Sequence, residues 1–383
     1  MNVMEVKMKY IVAAFCFLAN VPSARSQADS LERTGWRKYW NSLIHGNVDR
    51  TFEKKLDMSF VVAPCYTREG SFGIGGAATA LYRLDRRDST MQPSDFSLSG
   101  SASIRGVYTL TAKGNNNFRG NKSRLSYRLQ LFHKTLDFWG VSFDACARNP
   151  MSEYTKRQVK WEADYIYKLT RDIHVGVAFN LNYTGLSEIA DEAYLEGQKK
   201  SYFFGGIGIS VQYDTRDFMP NPRRGIYIMA REVFYPAFMG SCDEVIFSTT
   251  VVFDAFLRLW RGGVLATDVY GQFFCGEAPW VLREELGSGG SRMRSYYAGR
   301  YLDRNQMVAQ AELRQHLHSR VGCAAWIGGG AVFPSLKELR GRYFLPNYGP
   351  GLRIEFKYNV NIRIDYGFGK DTGGFVFQFA EAF

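Results

Sequence analysis

Beyond its first two dozen residues the sequence has no apolar run of about 18 residues or more, so no helix read from it is long enough to span a bilayer. Cysteine is also scarce. Outside the N-terminal leader there are Cys65, Cys146, Cys242, Cys275 and Cys323, scattered and odd in number. That pattern suits isolated buried or lipid-facing thiols, not a disulfide framework or a metal site. Catalytic motifs are missing as well. There is no Gly-x-Ser-x-Gly elbow and no His-Glu-x-x-His pair. Gly73-x-Gly75-x-x-Ala78 mimics a nucleotide fingerprint, but it sits within a strand pattern with no helix behind it. His316 and His318 share a strand face beside a tight turn, where no third ligand follows, and read as a surface pair. The expectation is a protein that is not an enzyme, with no cofactor and no metal.

The chain of 383 residues carries a formal charge of +11. Its Lys and Arg residues are dispersed instead of forming one stripe, which disfavours nucleic acid and points to anionic lipid or lipopolysaccharide as the partner. Its start reads as a secretion signal. Lys7 and Lys9 precede an apolar run from Tyr10 to Val21, and Ala24-Arg25-Ser26 offers small residues for cleavage after Ser26. Losing residues 1–26 removes three cations and one anion and leaves about +9. In residues 27–55, Trp36, Tyr39, Trp40, Leu43 and Ile44 fall at helical spacing among basic residues. They predict a short amphipathic helix on the inner face of a membrane or in the mouth of a barrel.

From Leu56 onward the period is two. Ile173, Val175, Val177, Phe179, Leu181 and Tyr183 alternate with His174, Gly176, Ala178, Asn180 and Asn182. Ile362, Ile364, Tyr366 and Phe368 alternate with Arg363, Asp365 and Gly367. The spacing predicts sixteen strands between 56 and 383, including 95–112, 123–134, 137–147 and 374–383. Many reach the ~9–11 residues that a tilted strand needs to cross a bilayer. Turns such as 170–172 and 261–262 are short, whereas 113–122, 185–199 and 276–305 are long. Strands of this length with alternating short and long connections predict an all-β transmembrane antiparallel barrel, its apolar face toward lipid and its polar face lining the lumen. The long stretch 276–305 is rich in Gly, Arg and Tyr and is expected to fold into that lumen, anchored by Arg294.

Three further stretches carry a family resemblance. Asp214-Thr215-Arg216-Asp217, followed by Pro220 and Gly225, looks like the Asp-x-Arg-Asp turn of BamA/TamA family outer-membrane proteins, also called bacterial surface antigen proteins. Met293-Arg294-Ser295-Tyr296 is similar to that family's (Val/Met)-Arg-Gly-(Phe/Tyr) loop, with Ser295 in place of the usual glycine. The closing segment, with Phe375, Phe377, Phe379 and Phe383, resembles the recognition strand that barrel-assembly machinery reads. Together with Gly351-Leu352-Arg353, the resemblance covers about 56–383. It implies that Arg294, flanked by Met293 and Tyr296, latches the loop to an acid on the wall. Glu312, Glu355 and Asp365 are the candidates, because Gly328 stands where the family often has an aspartate. It also implies a short form without periplasmic POTRA repeats, an integral outer-membrane location, and a role in inserting outer-membrane proteins or translocating surface proteins. Nascent outer-membrane proteins or a periplasmic protein are the partners this implies. The alternative is a passive pore or a structural barrel that anchors a periplasmic partner.

Overall fold

The computed structural model describes residues 51–383, apart from 68–70, 89–90, 220, 288–289, 319, 358–359 and 380. The signal peptide and the amphipathic helix expected before residue 50 lie outside the described residues. Sixteen strands follow in chain order. The first four are β1 (Asp57–Thr67), β2 (Ser71–Tyr82), β3 (Ser94–Ser103) and β4 (Tyr108–Asn117). Next come β5 (Ser123–Phe138), β6 (Ser152–Lys168), β7 (Ile173–Ser187), β8 (Ser201–Asp214), β9 (Gly225–Tyr235) and β10 (Ile246–Trp260). The chain continues through β11 (Gly263–Cys275), β12 (Asn305–His318), β13 (Val321–Phe333), β14 (Phe344–Lys357), β15 (Val360–Gly369) and β16 (Thr372–Phe379). Each strand pairs antiparallel with the next in one sixteen-stranded meander, the architecture of an outer-membrane barrel. β1 and β16 approach within 8 Å between Cα atoms. Among the described residues no hydrogen-bonded ladder joins them.

The strand count agrees with the sequence expectation, but two errors in the reading of the sequence offset one another. The single strand expected over 95–112 is the hairpin of β3 and β4, which turns at Gly106 with φ +72°. The two strands expected over 123–134 and 137–147 are one strand, β5, followed by a helix, α1 (Phe143–Arg148). Gly140, at φ +135°, ends the extended run, and Ser142 caps the helix by accepting from the Ala145 N–H. The segment 113–122 is therefore the end of β4 and a short turn, not a long loop.

Burial is inverted relative to a soluble protein. Ile207, Ile209, Val211 and Tyr213 on β8 are exposed, as are Val251, Phe253 and Leu257 on β10. Asp254, Asp268, Glu312, Arg353, Arg363 and Asp365 are buried on the opposite, inward rows. Exposed apolar rows of this extent are stable only against hydrocarbon. At the end where the long loops emerge, the inward rows change character. Leu136, Phe138, Tyr154, Tyr202, Phe204, Val233 and Tyr235 turn inward and form an apolar core with residues of the loops. The polar lining gives way to an apolar core at this end, because these side chains have the loop 276–304 to pack against.

Candidate functional site

The connection between β11 and β12, residues 276–304, is tied to the barrel at several levels. Near its start, the Trp280 N–H donates to Gln198 Oε1 at 2.8 Å and Arg283 Nη1 donates to the Val141 carbonyl at 2.7 Å. Lys156 Nζ reaches Glu285 Oε1 at 2.7 Å. Burial opposes ionisation of Glu285, yet the Lys156 ammonium prevails and holds its carboxyl below the usual range. Further on, Asp303 accepts from the Phe143 N–H at 3.1 Å, which joins the loop to α1. Burial pushes the Asp303 carboxyl up. The Tyr301 ring stacks on Phe143, which meets Tyr343 edge-on, so three connections share one aromatic cluster.

Deeper in the lumen the loop delivers Arg294, whose side chain has no solvent exposure. Its Nη1 lies 2.6 Å from Glu312 Oε2 and 2.9 Å from Asp365 Oδ2. Its Nε donates to the Ser291 carbonyl at 3.2 Å, and the guanidinium lies 4.2 Å from the centre of the Trp326 ring. Arg314 Nε pairs with Glu312 Oε1 at 2.7 Å, and Arg353 bonds both Asp365, at 2.6 Å, and Glu381, at 2.8 Å. Arg363 Nη1 meets Asp365 Oδ2 at 2.9 Å, and its Nη2 donates to the Gly290 carbonyl at 2.8 Å. Four guanidinium groups thus interlock with three carboxylates in one buried network. Desolvation opposes such a network, and multiple charge-assisted hydrogen bonds offset that cost. Its removal one member at a time is therefore more damaging than any single distance suggests.

Glycines make room for this arrangement. A Cβ at Gly367 would lie 2.8 Å from the Ser295 nitrogen, so the loop main chain packs directly on β15. A Cβ at Gly351 would collide with the Asp365 carboxylate, which explains the glycine that opens Gly351-Leu352-Arg353. Ser295 donates through Oγ to Asn347 Oδ1 at 3.1 Å, and its carbonyl accepts from Thr372 Oγ1 at 2.9 Å. Met293 is fully buried with φ +48°, its sulfur directed toward Gly330. Tyr296 donates to the Pro346 carbonyl at 2.9 Å and accepts from the Lys370 N–H at 2.9 Å. Burial pushes the Tyr296 hydroxyl up to about 12.

Of the acids considered from the sequence, the structure brings Glu312 and Asp365 to Arg294. Glu355 lies one strand-repeat beyond Arg353, at the opposite end of the barrel, where it lines an opening with His316 and Arg258. Sequence reasoning gave no part in the network to Trp326, Arg314, Arg363, Asn347 or Glu381. Inward alternation marks Arg314 two residues from Glu312 and Arg363 two residues from Asp365, and would have found both. A second pairing also escaped it, in which Arg292 forks onto Asp268 at 2.7 Å while Gln310 Nε2 donates to the same carboxylate at 2.9 Å.

The turn between β8 and β9 uses its motif internally. Arg216 Nη2 pairs with Asp214 Oδ2 at 2.7 Å, and its guanidinium lies 4.1 Å from the centre of the Tyr227 ring. Asp217 Oδ1 accepts from the Arg223 N–H at 2.9 Å and the Arg224 N–H at 3.3 Å, closing the turn as an Asx cap does. Gly225 takes φ +108°, and a Cβ there would strike the Thr215 carbonyl. Pro220 lies outside the described residues. At the closing strand, Phe375 and Phe377 are exposed on the outward row. The strand ends at Phe379, and Phe383 does not continue that row. Its ring lies 6.4 Å from that of the buried, inward-facing Phe256, with Arg314 5.2 Å from its centre. Glu381 explains the departure: it turns into the lumen to meet Arg353 and Asn361.

Comparison with known proteins adds a family. The model of the Omp85 superfamily domain matches residues 94–383. No curated protein matches the chain. Among solved structures, BamA from Haemophilus ducreyi lacking POTRA domains 1–3 is similar at TM-score 0.57 and 11% identity, over 85% of this chain and 69% of that one. CdiB from Escherichia coli gives TM-score 0.58 at 13% identity, over 86% and 63%. CdiB from Acinetobacter baumannii gives 0.54 at 10%, over 86% and 66%. The chain thus spans about two thirds of the length of these structures.

Proposed function

The chain belongs to the Omp85 superfamily, and from that premise we propose that it assists the insertion of outer-membrane proteins or the translocation of surface proteins from a place in the outer membrane. The observation that carries this reading is the contrast between two parts of one barrel. The lumen beneath the long loops is filled and locked by Arg294, Glu312 and Asp365. The junction of β1 and β16 has no ladder among the described residues. A filled lumen favours work at the seam over passive conduction, since strand edges that meet without a regular ladder can template the pairing of another strand.

The test has a cellular and a chemical arm. Depletion followed by outer-membrane proteomics is expected to lower many barrel proteins together. In proteoliposomes, the purified protein is expected to speed the folding of a urea-denatured barrel protein. Oxidation of a Ser59→Cys, Phe379→Cys pair across β1 and β16 is expected to abolish that acceleration, and full activity in the locked barrel would refute the seam mechanism.

A further inference from the structure

At the short-turn end, opposite the loop 276–304, the barrel opens into a cavity of about 740 Å³. Its lining includes Arg223, Arg258, Arg261, Arg314, Arg320 and Arg353 against two acids, Glu355 and Glu381. These arginines come from the turn 215–224, from β10, β12 and β14, and from the turns 261–262 and 319–320. Arg258, Arg261 and Arg320 are exposed, and among the described residues they form no ion pair within 4.0 Å. Arg314 is more than nine-tenths buried, and its Nη1 lacks a hydrogen-bond partner among the described residues while the side chain lines this cavity. A buried guanidinium with an unsatisfied nitrogen keeps positive charge at the wall of this cavity, which favours an anionic ligand.

We propose that this opening binds an acidic, extended segment of a soluble protein. Glu381 supplies the internal precedent: a carboxylate on the chain leading to Phe383 enters the lumen and is held by Arg353 at 2.8 Å and Arg314 at 3.6 Å. The exposed Arg258, Arg261 and Arg320 come from three separate elements around the mouth, which suits carboxylates distributed along a chain better than a single phosphate. They stand on inward rows and turns, not on the outward face that meets lipid, so a peptide is favoured over a lipid headgroup. The volume falls in the range of about 300–1,000 Å³ usual for ligand sites. The proposal holds whether or not the barrel inserts other proteins, because binding and insertion are read separately.

The test uses the full chain purified in detergent and a fluorescein-labelled Asp-Ser repeat peptide, followed by fluorescence anisotropy. Saturable binding is expected that weakens with salt, with an Asn-Ser repeat peptide giving none. Replacing Arg258, Arg261 and Arg320 by Glu is expected to weaken binding by at least about tenfold, as for charged groups at an interface rim acting together. If that triple variant loses the heat-dependent electrophoretic shift of a folded barrel, the single Arg320→Gln variant is used, with a loss of about threefold expected. Equal binding of the Asn-Ser peptide, or unchanged binding by the folded variants, would overturn the proposal. So would displacement of the peptide by equimolar inorganic phosphate, or binding confined to vesicles containing phosphatidylglycerol.

Discussion

Arg294 Nη1 stands 2.6 Å from Glu312 Oε2, although the two lie 18 positions apart in sequence and neither side chain reaches solvent. Removing one partner of a buried pair typically costs about 3–5 kcal/mol. Here Arg314 and Arg353 also contact Glu312, so Arg294→Ala is expected to cost about 2–4 kcal/mol. The temperature at which the barrel loses its folded electrophoretic mobility measures the loss. A double-mutant cycle with Glu312→Gln should show coupling above about 0.5 kcal/mol, and one with Glu355→Gln should show none. Equal coupling to both acids would contradict the latch.

Gly367 offers a steric test that leaves every charge in place. The Gly367→Val side chain must enter space held by the Ser295 and Arg294 main chain. We expect the loop 276–304 to be displaced, with trypsin cutting at Arg292, Arg300 or Arg304 in intact membranes at least about tenfold faster, as local protection is lost. Unchanged cleavage would mean that the loop does not depend on this contact.

The Lys156–Glu285 pair predicts a pH dependence with a definite sign. The folded Glu285 carboxyl titrates below its unfolded value of about 4.3. Its contribution is therefore present above that value and is lost as pH falls through the lower, folded one. Acidification below about pH 4 should loosen the start of the loop, seen as a change in Trp280 fluorescence. Lys156→Met should remove that transition. Asp303 works in the opposite sense, since its raised carboxyl favours the folded state only at low pH. An Asp303→Asn variant separates the two.

Cys146 lies buried in α1, and burial pushes its thiol up to about 12. At pH 8 it should resist iodoacetamide in the folded protein and react after unfolding, because the thiolate is the reactive form. Mass spectrometry of the modified peptide checks this. Rapid labelling of the native protein would place α1 in solvent.

The period-two alternation, taken with the number and length of the strands and the alternation of short and long connections, decided the fold class and which rows meet lipid. That pattern is local: each strand repeats its preference for one side every two residues, whatever its partner. Where two strands were read as one, as over 95–112, the hairpin at 104–107 is so short that the alternation runs on almost unbroken. Where a helix was read as a strand, a single cap and one glycine at positive φ settled the matter, and apolar spacing over six residues cannot distinguish the two.

The sequence also brought Arg294, Glu312 and Asp365 to attention as lumen-facing charges. It could not rank Glu312 and Asp365 above Glu355, because all three lie on inward positions and differ only in height along the barrel. Height depends on the stagger of β12 against β15 and on how far the loop descends, and neither is written in any one strand. The turn of Glu381 into the lumen was decided at the same level. A carboxylate that alternation assigned to a closing strand left it because two arginines from distant strands converge there, and that convergence exists only once the sheet has curved.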